Sequence, residues 1–123
     1  MEKEGDEYPF PQPADYIILA HPATHEILEE LTKKGKITSM DIERITRGKL
    51  ESKKERDVSI HALGYTLTLL KLGVIDYSGF TSDSEKSGRL LSTYMLNRER
   101  LTTIRKKLEN LTERLKKYET SQV

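Results

Sequence analysis

The chain has no cysteine, no tryptophan and no hydrophobic run long enough to cross a bilayer, and each absence removes a class of protein. Without cysteine there are no disulfides, thiolate metal sites or cysteine nucleophiles. The acidic beginning, MEKEGDEY, is unlike a secretory signal, and the nearby apolar run YIILA is too short for a membrane span. Gly-rich phosphate loops, Ser-centred elbows and HExxH motifs are also missing. We therefore expect a cytoplasmic protein that is not an enzyme and needs no cofactor.

Length and charge limit the architecture. The 123 residues suffice for one domain, and 35% hydrophobic with 33% charged residues fits a small helical domain with a thin core. The net charge is only +1, but it is segregated along the chain. Met1–Tyr16 has five acidic residues and one lysine, Glu43–Arg56 has six basic and three acidic residues, and Asn97–Val123 has eight basic and four acidic residues.

Proline and glycine divide the chain into elements. Residues 1–13 hold three of the four prolines and no periodic apolar pattern, which predicts a flexible N-terminal arm. After it we predict a short helix (14–20), a helix (22–34), a short extended segment (36–38), a helix (40–48), the helix of VSIHALGYTLTLLKL (58–72), a hairpin (74–80 with 89–96) and a long helix from Asn97 to about Tyr118. The predicted class is mainly α with a small β-hairpin. Two helices followed by a hairpin is the order of a winged helix-turn-helix, here over 14–96.

The helix from Val58 is apolar over most of its surface. One stripe is Val58, Ala62, Tyr65, Leu69 and Leu72, and beside it lies a second of Ile60, Leu63, Leu67 and Leu70. A helix with two apolar stripes is expected to be mostly covered. The predicted core that presents it is Ile27, Leu28, Ile42, Ile45, Leu63 and Leu67.

Three segments in sequence order carry a family resemblance. HPATHEIL (21–28), LTLLKLGVI (67–75) and STYMLN (92–97) resemble the opening, the recognition-helix end and the second wing strand of ArsR-like regulators. The resemblance covers about residues 14–120 and implies a dimeric winged-helix transcriptional regulator from a prokaryote, with an archaeal source favoured. The chain departs from the family at Thr24, where arginine is usual, and it lacks the cysteine pairs of the metal-sensing members.

Basic and polar residues before and within the Val58 helix are the candidate DNA contacts. Helix-turn-helix proteins read bases with the N-terminal part of the second helix, and a wing touches the neighbouring backbone. The predicted DNA-binding residues are Lys49, Lys53, Lys54, Arg56, Ser59 and His61, with Lys86 and Arg89 in the wing. For both segments the alternative is an ordinary solvated loop.

The last helix carries a heptad seam. Leu101, Ile104, Leu108, Leu111, Leu115 and Tyr118 are spaced three and four residues apart. We predict that this dimerisation helix (97–120) pairs with its counterpart in a homodimer, and the alternative is that the seam folds back on its own domain. The basic positions beside it, Arg100, Lys107 and Arg114, slightly favour a parallel pairing, and the direction stays open.

Two further readings complete the hypotheses. His21, His25 and Glu29 have the i, i+4, i+8 spacing of metal ligands, but Pro22 makes them ordinary helix-start residues, and we expect no metal. The second candidate function is a winged-helix module that binds another protein, rather than double-stranded DNA, through its apolar helix and coiled coil.

Overall fold

The protein is mostly helical, with one small antiparallel sheet. The computed structural model describes residues 9–83 and 89–120. In that part of the chain the elements are α1 (Pro13–Leu19), α2 (Pro22–Lys34), β1 (Lys36–Thr38), α3 (Ser39–Lys49), α4 (Glu55–Lys71), β2 (Ile75–Asp83), β3 (Arg89–Leu96) and α5 (Arg98–Thr120). The predicted mainly α class with a hairpin is confirmed.

Side-chain caps set the helix boundaries that the sequence predicted. The hydroxyl of Thr38 accepts from the Asp41 backbone N–H at 3.1 Å, and the Asp41 carboxylate accepts from the Thr38 N–H at 2.9 Å. This reciprocal pair is a capping box, which satisfies free N–H groups at the first turn of α3. Asn97 caps α5 by accepting from the Arg100 N–H at 3.0 Å. Gly35 ends α2 with a φ of 81°, a conformation that glycine adopts without strain.

The sheet has three strands rather than the two of the predicted hairpin. The strand order is β1-β3-β2, with β1 pairing to β3 from Lys36 opposite Met95 to Thr38 opposite Thr93. A three-residue strand is too short for a periodic pattern, so its place in the sheet was not predictable from apolar spacing. Through Ile37, which is buried, β1 also closes one side of the core.

The core lies between one side of α4 and the elements that pack against it. The first stripe of α4, from Val58 to Leu72, is buried together with Ile27, Ile42 and Ile45 as predicted. The prediction that Leu63 and Leu67 join the core is wrong, because they are 58% and 55% exposed. Because the core covers only one side of α4, the second stripe stays outside apart from the half-buried Leu70.

The last residues of the predicted N-terminal arm are part of the folded structure. Its residues 1–8 lie outside the described residues, whereas Pro9–Gln12 lead directly into α1. Pro11 is buried, and the guanidinium of Arg100 donates a hydrogen bond to the Pro9 carbonyl. The last residues before α1 are therefore attached to the base of α5.

Candidate nucleic-acid interface

The start of α4 is held in place by α3. Arg47, near the end of α3, donates from Nη2 to both carboxylate oxygens of Glu55 at 2.8 and 2.9 Å. Ser52, in the connection between the helices, donates to the carboxylate of Asp57. Val58 and Ala62 then enter the core below. The first turn of α4 is thus fixed from behind while its outer side faces solvent.

Two of the predicted DNA contacts are engaged within the protein. Lys53 Nζ donates to the carbonyls of Arg47 and, at 2.6 Å, Leu50, where it neutralises the negative end of α3. Lys49 Nζ lies 3.4 Å from a Glu26 carboxylate oxygen. Their positive charge adds to the local field, but both ammonium groups already have partners.

Lys54 and Arg56 are the free cations of this region. Both side chains are exposed, and neither forms an ion pair within residues 9–83 and 89–120. Lys54 is the N-cap residue of α4, and Arg56 lies on the first turn. A helix N-terminus with unpaired cations on it attracts anions such as phosphate through both the helix dipole and the side-chain charge.

Ser59 and His61 are exposed one turn further along α4. His61 Nδ1 is 2.8 Å from the carbonyl oxygen of Asp57. Because a carbonyl only accepts, Nδ1 is the donor of this hydrogen bond, which leaves Nε2 to contact other groups. Both residues are therefore able to contact polar groups, although neither is a strongly selective base reader.

Of the two predicted wing residues, the structure describes only Arg89. Lys86 lies outside the described residues. Arg89 is exposed at the first position of β3, where the register sets it opposite Asp83 of β2. On β2, Phe80 is 64% exposed and packs edge-on against Tyr77 with ring centroids 5.6 Å apart. The described hairpin thus offers one cation and an apolar outer surface.

The outer side of α4 carries a feature that sequence reasoning missed. Ile60 is 57% exposed and, with Leu63 and Leu67, forms an apolar line that we term the α4 ridge. It lies opposite the buried stripe of the same helix. Its spacing was visible in the sequence, but the two stripes are equally apolar there, so only packing shows which one is covered.

The seam of α5 divides into two halves. Leu101, Ile104 and Leu108 pack on the core of their own chain, and Ile104 is buried. Leu111, Leu115 and Tyr118 are exposed, the last by 78%. The half that folds back on its own domain is therefore Leu101–Leu108, and the second half stays largely exposed in the described part of the chain.

The sequence predicted that Arg100 is a surface position beside the seam, and this prediction is wrong. Its side chain is completely buried, and Nε donates to the Leu72 carbonyl at the end of α4 at 2.7 Å. A buried guanidinium is tolerated because its N–H groups find acceptors. A charge count along a helix does not separate such a residue from a solvated one.

A second buried charge joins α1 to α4. Asp15 of α1 is buried and accepts from Lys71 Nζ at 2.6 Å and from the Gln12 N–H at 2.9 Å. The hydrogen bond from Lys71, helped by the one from Gln12, holds the pKa of Asp15 below its usual value. The pair lies at the C-terminal end of α4, opposite to the end at which Lys54 lies.

The histidines at the start of α2 have structural partners. His21 Nδ1 accepts from the Ala23 N–H at 3.0 Å, and Nε2 lies 3.3 Å from the Tyr65 hydroxyl. Both ring nitrogens of His21 are thus engaged, whereas His25 and Glu29 are exposed. Among residues 9–83 and 89–120, no three His, Cys, Asp or Glu side chains are grouped to hold a metal ion.

Two further findings concern membrane-spanning helices and similarity to known proteins. None of the helices in the described part is both long and apolar enough to span a bilayer. No family model, curated protein or solved structure matches the chain. Any function assigned to it therefore rests on its own residues and their geometry.

Proposed function

We propose that the protein is a cytoplasmic, dimeric DNA-binding transcriptional regulator of the winged helix-turn-helix type. One observation carries this proposal: α3 and α4 lie between β1 and the hairpin, and the start of α4 is anchored with two unpaired cations exposed. Helix-turn-helix proteins present the N-terminal part of the second helix to the major groove in this way.

The proposed contacts differ in which part of the DNA they bind and in what they contribute to binding. Lys54, Arg56 and the free N–H groups of the first turn of α4 bind phosphates, which gives affinity and salt dependence without base selectivity. Ser59 and His61 reach base edges or further phosphates. Arg89, together with Lys86, contacts the backbone beside the groove. Lys49 and Lys53 act through the local positive field, because their ammonium groups are engaged with Glu26 and with the end of α3.

Dimerisation in this proposal uses the distal half of the α5 seam. Leu111, Leu115 and Tyr118 lie on a helix that extends beyond its own core, and an exposed apolar seam at heptad spacing fits a second helix. Two copies with one reading helix each match a two-fold DNA site. Dimerisation through α5 also leaves the outer side of α4 free.

The test compares the salt dependence of binding to a random-sequence duplex for the Lys54→Ala/Arg56→Ala variant and the unchanged protein. Two lost phosphate contacts should lower the slope of log K against log salt concentration by about 1.8, measured between 50 and 200 mM. Lys33→Ala/Lys36→Ala removes two exposed lysines, at the end of α2 and the start of β1, that have no ion pair in the described part of the chain, and it is the matched control. An unchanged slope in the α4 variant would exclude these residues as phosphate contacts.

The second candidate function is a module that binds another protein. The observation that favours it is the α4 ridge, since apolar side chains gain little from a polar groove apart from thymine methyl groups. Failure of the unchanged protein to shift duplex DNA at low salt would favour this candidate over the first.

A further inference from the structure

We propose that the outer side of α4 binds an amphipathic helix of another protein, one with an apolar seam and acidic residues at the end that meets Arg56. This interaction rests on the second candidate function and names its partner; it does not require DNA binding, although Arg56 takes part in both proposals. The occupant is identified by the spacing, charge and size of the α4 ridge.

The spacing of the ridge fits a helix. Ile60, Leu63 and Leu67 are three and four residues apart, the spacing at which one helix packs along another. They cover two turns, about 10 Å along the axis. Each is more than half exposed, and all three project from a helix whose opposite side is completely buried.

Gly64 lies within this exposed surface. It is in the middle of α4, is exposed, and a Cβ built on it would have no atom within 4 Å. A glycine inside a helix lowers its stability, and nothing in the described chain requires one at this position. A residue without a side chain beside an apolar ridge allows the backbone of a partner helix to approach closely.

The charges around the ridge select an acidic partner. The two acidic residues of α4 are engaged elsewhere, Glu55 with Arg47 and Asp57 with Ser52. At one end of the ridge Arg56 is exposed and has no ion pair in the described part of the chain, whereas Lys71 at the other end is bound by Asp15. Acidic side chains near Arg56 would therefore complement a cation at the start of α4 that has no ion pair in the described part of the chain, with Lys54 adding a second positive charge at the same end.

A second copy of the chain fits the ridge less well. Two parallel copies of α4 would bring Arg56 against its equivalent, and two antiparallel copies would bring Arg56 towards Lys71, so neither arrangement offers an opposite charge to Arg56. A stable dimer also buries about 800 Å² on each partner, which two turns of one helix do not supply. A short helical segment needs no more than the ridge provides.

The probe is a fluorescently labelled, alanine-rich peptide of about 20 residues, long enough to form a helix, with leucine at seam positions and glutamate beside them. Two control peptides keep its length: one has lysine for each glutamate, and the other has the same composition in scrambled order. Fluorescence anisotropy measures binding to the full chain without DNA, so failure here leaves the DNA proposal untouched.

We expect the acidic peptide to bind about tenfold more tightly than either control peptide, and Leu63→Gln or Leu67→Gln to weaken it by about tenfold or more. Arg56→Gln should reduce the preference for the acidic over the basic peptide. Ile17→Gln is the matched control, because Ile17 of α1 is an exposed apolar residue (72%) that belongs to none of the proposed contact surfaces. It should leave the affinity unchanged.

Three results would overturn the proposal. Equal binding of all three peptides would show that neither the acidic charge nor the spacing of the seam is recognised. A loss of affinity with Leu115→Gln but not with Leu67→Gln would place the peptide on α5. Sedimentation showing that Leu67→Gln converts a dimer to a monomer would assign the ridge to a second copy of the chain.

Discussion

Truncation of two leucines two positions apart on α4 should have very unequal effects on stability. Leu67 lies on the α4 ridge and is 55% exposed, whereas Leu69 is completely buried in the core. Changing each to alanine makes the same chemical change in the same helix. Helix propensity therefore cancels between the two variants, and the difference between them reports burial alone.

The structure gives the expected size of each effect. Leu69→Ala leaves a cavity and should lower the free energy of unfolding by about 2–5 kcal/mol, which corresponds to a fall in Tm of roughly 8–20 °C for a chain of this size. Leu67→Ala truncates a side chain that is more than half exposed, so the change should stay within about 0.5 kcal/mol. Thermal and urea unfolding followed by circular dichroism measure both. If Leu69→Ala does not fold, Val58→Ala, also completely buried, takes its place.

The result that would refute the reasoning is a loss for Leu67→Ala as large as the loss for Leu69→Ala. The ridge would then be covered in solution, as the two-stripe pattern first predicted. Repeating the measurement at several protein concentrations locates the cover, because stabilisation by a second copy grows with concentration and stabilisation within the chain does not.

Three other variants test single features of the structure. Asp15→Asn should lower stability by about 1–2 kcal/mol at neutral pH. Because folding lowers the pKa of Asp15, its contribution is fully present above the unfolded pKa and is lost as pH falls through the folded pKa. In urea unfolding, the difference from the unchanged protein should therefore begin to shrink below about pH 4. A difference that stays constant down to pH 2 would contradict this. Gly64→Ala should raise stability by about 0.5–1 kcal/mol, whereas Gly35→Ala, at a φ of 81°, should lower it. A loss of stability in both variants would show that Gly64 has an unseen internal neighbour. Leu115→Glu should convert a dimer to a monomer in sedimentation without loss of helix content, and an unchanged mass would exclude the distal seam.

The order of the elements was predictable because local signals mark it. Pro22, Gly35, the Thr38–Asp41 pair and Asn97 each begin or end a helix through a fixed backbone angle or a side-chain cap, and these local effects are independent of the rest of the fold. The position of β1 in the sheet was not predictable. It depends on pairing with β3, which is more than fifty residues away and leaves no trace in a three-residue segment.

The candidate site was predictable in location but not in detail. Residue types and spacing identified the start of α4, and Lys54 and Arg56 are exposed there as expected. Lys53 and Arg100 bind backbone carbonyls, and nothing in the sequence distinguishes them from a lysine or arginine that is exposed to solvent. The exposure of Leu63 belongs to the same class, because apolar periodicity defines a stripe without defining its neighbours.

The buried guanidinium at the base of α5 joins three segments that are distant in sequence. The Arg100 guanidinium donates to the carbonyl of Leu72 at the end of α4 and to the carbonyl of Pro9, while the Arg100 backbone N–H donates to the side chain of Asn97 at the start of α5. A change in the tilt of α5 would have to lengthen or break these bonds, so the long helix behaves as a lever rigidly fixed to the end of α4. In an assembly of two copies, the angle at which the levers cross would therefore set the angle between the two α4 helices.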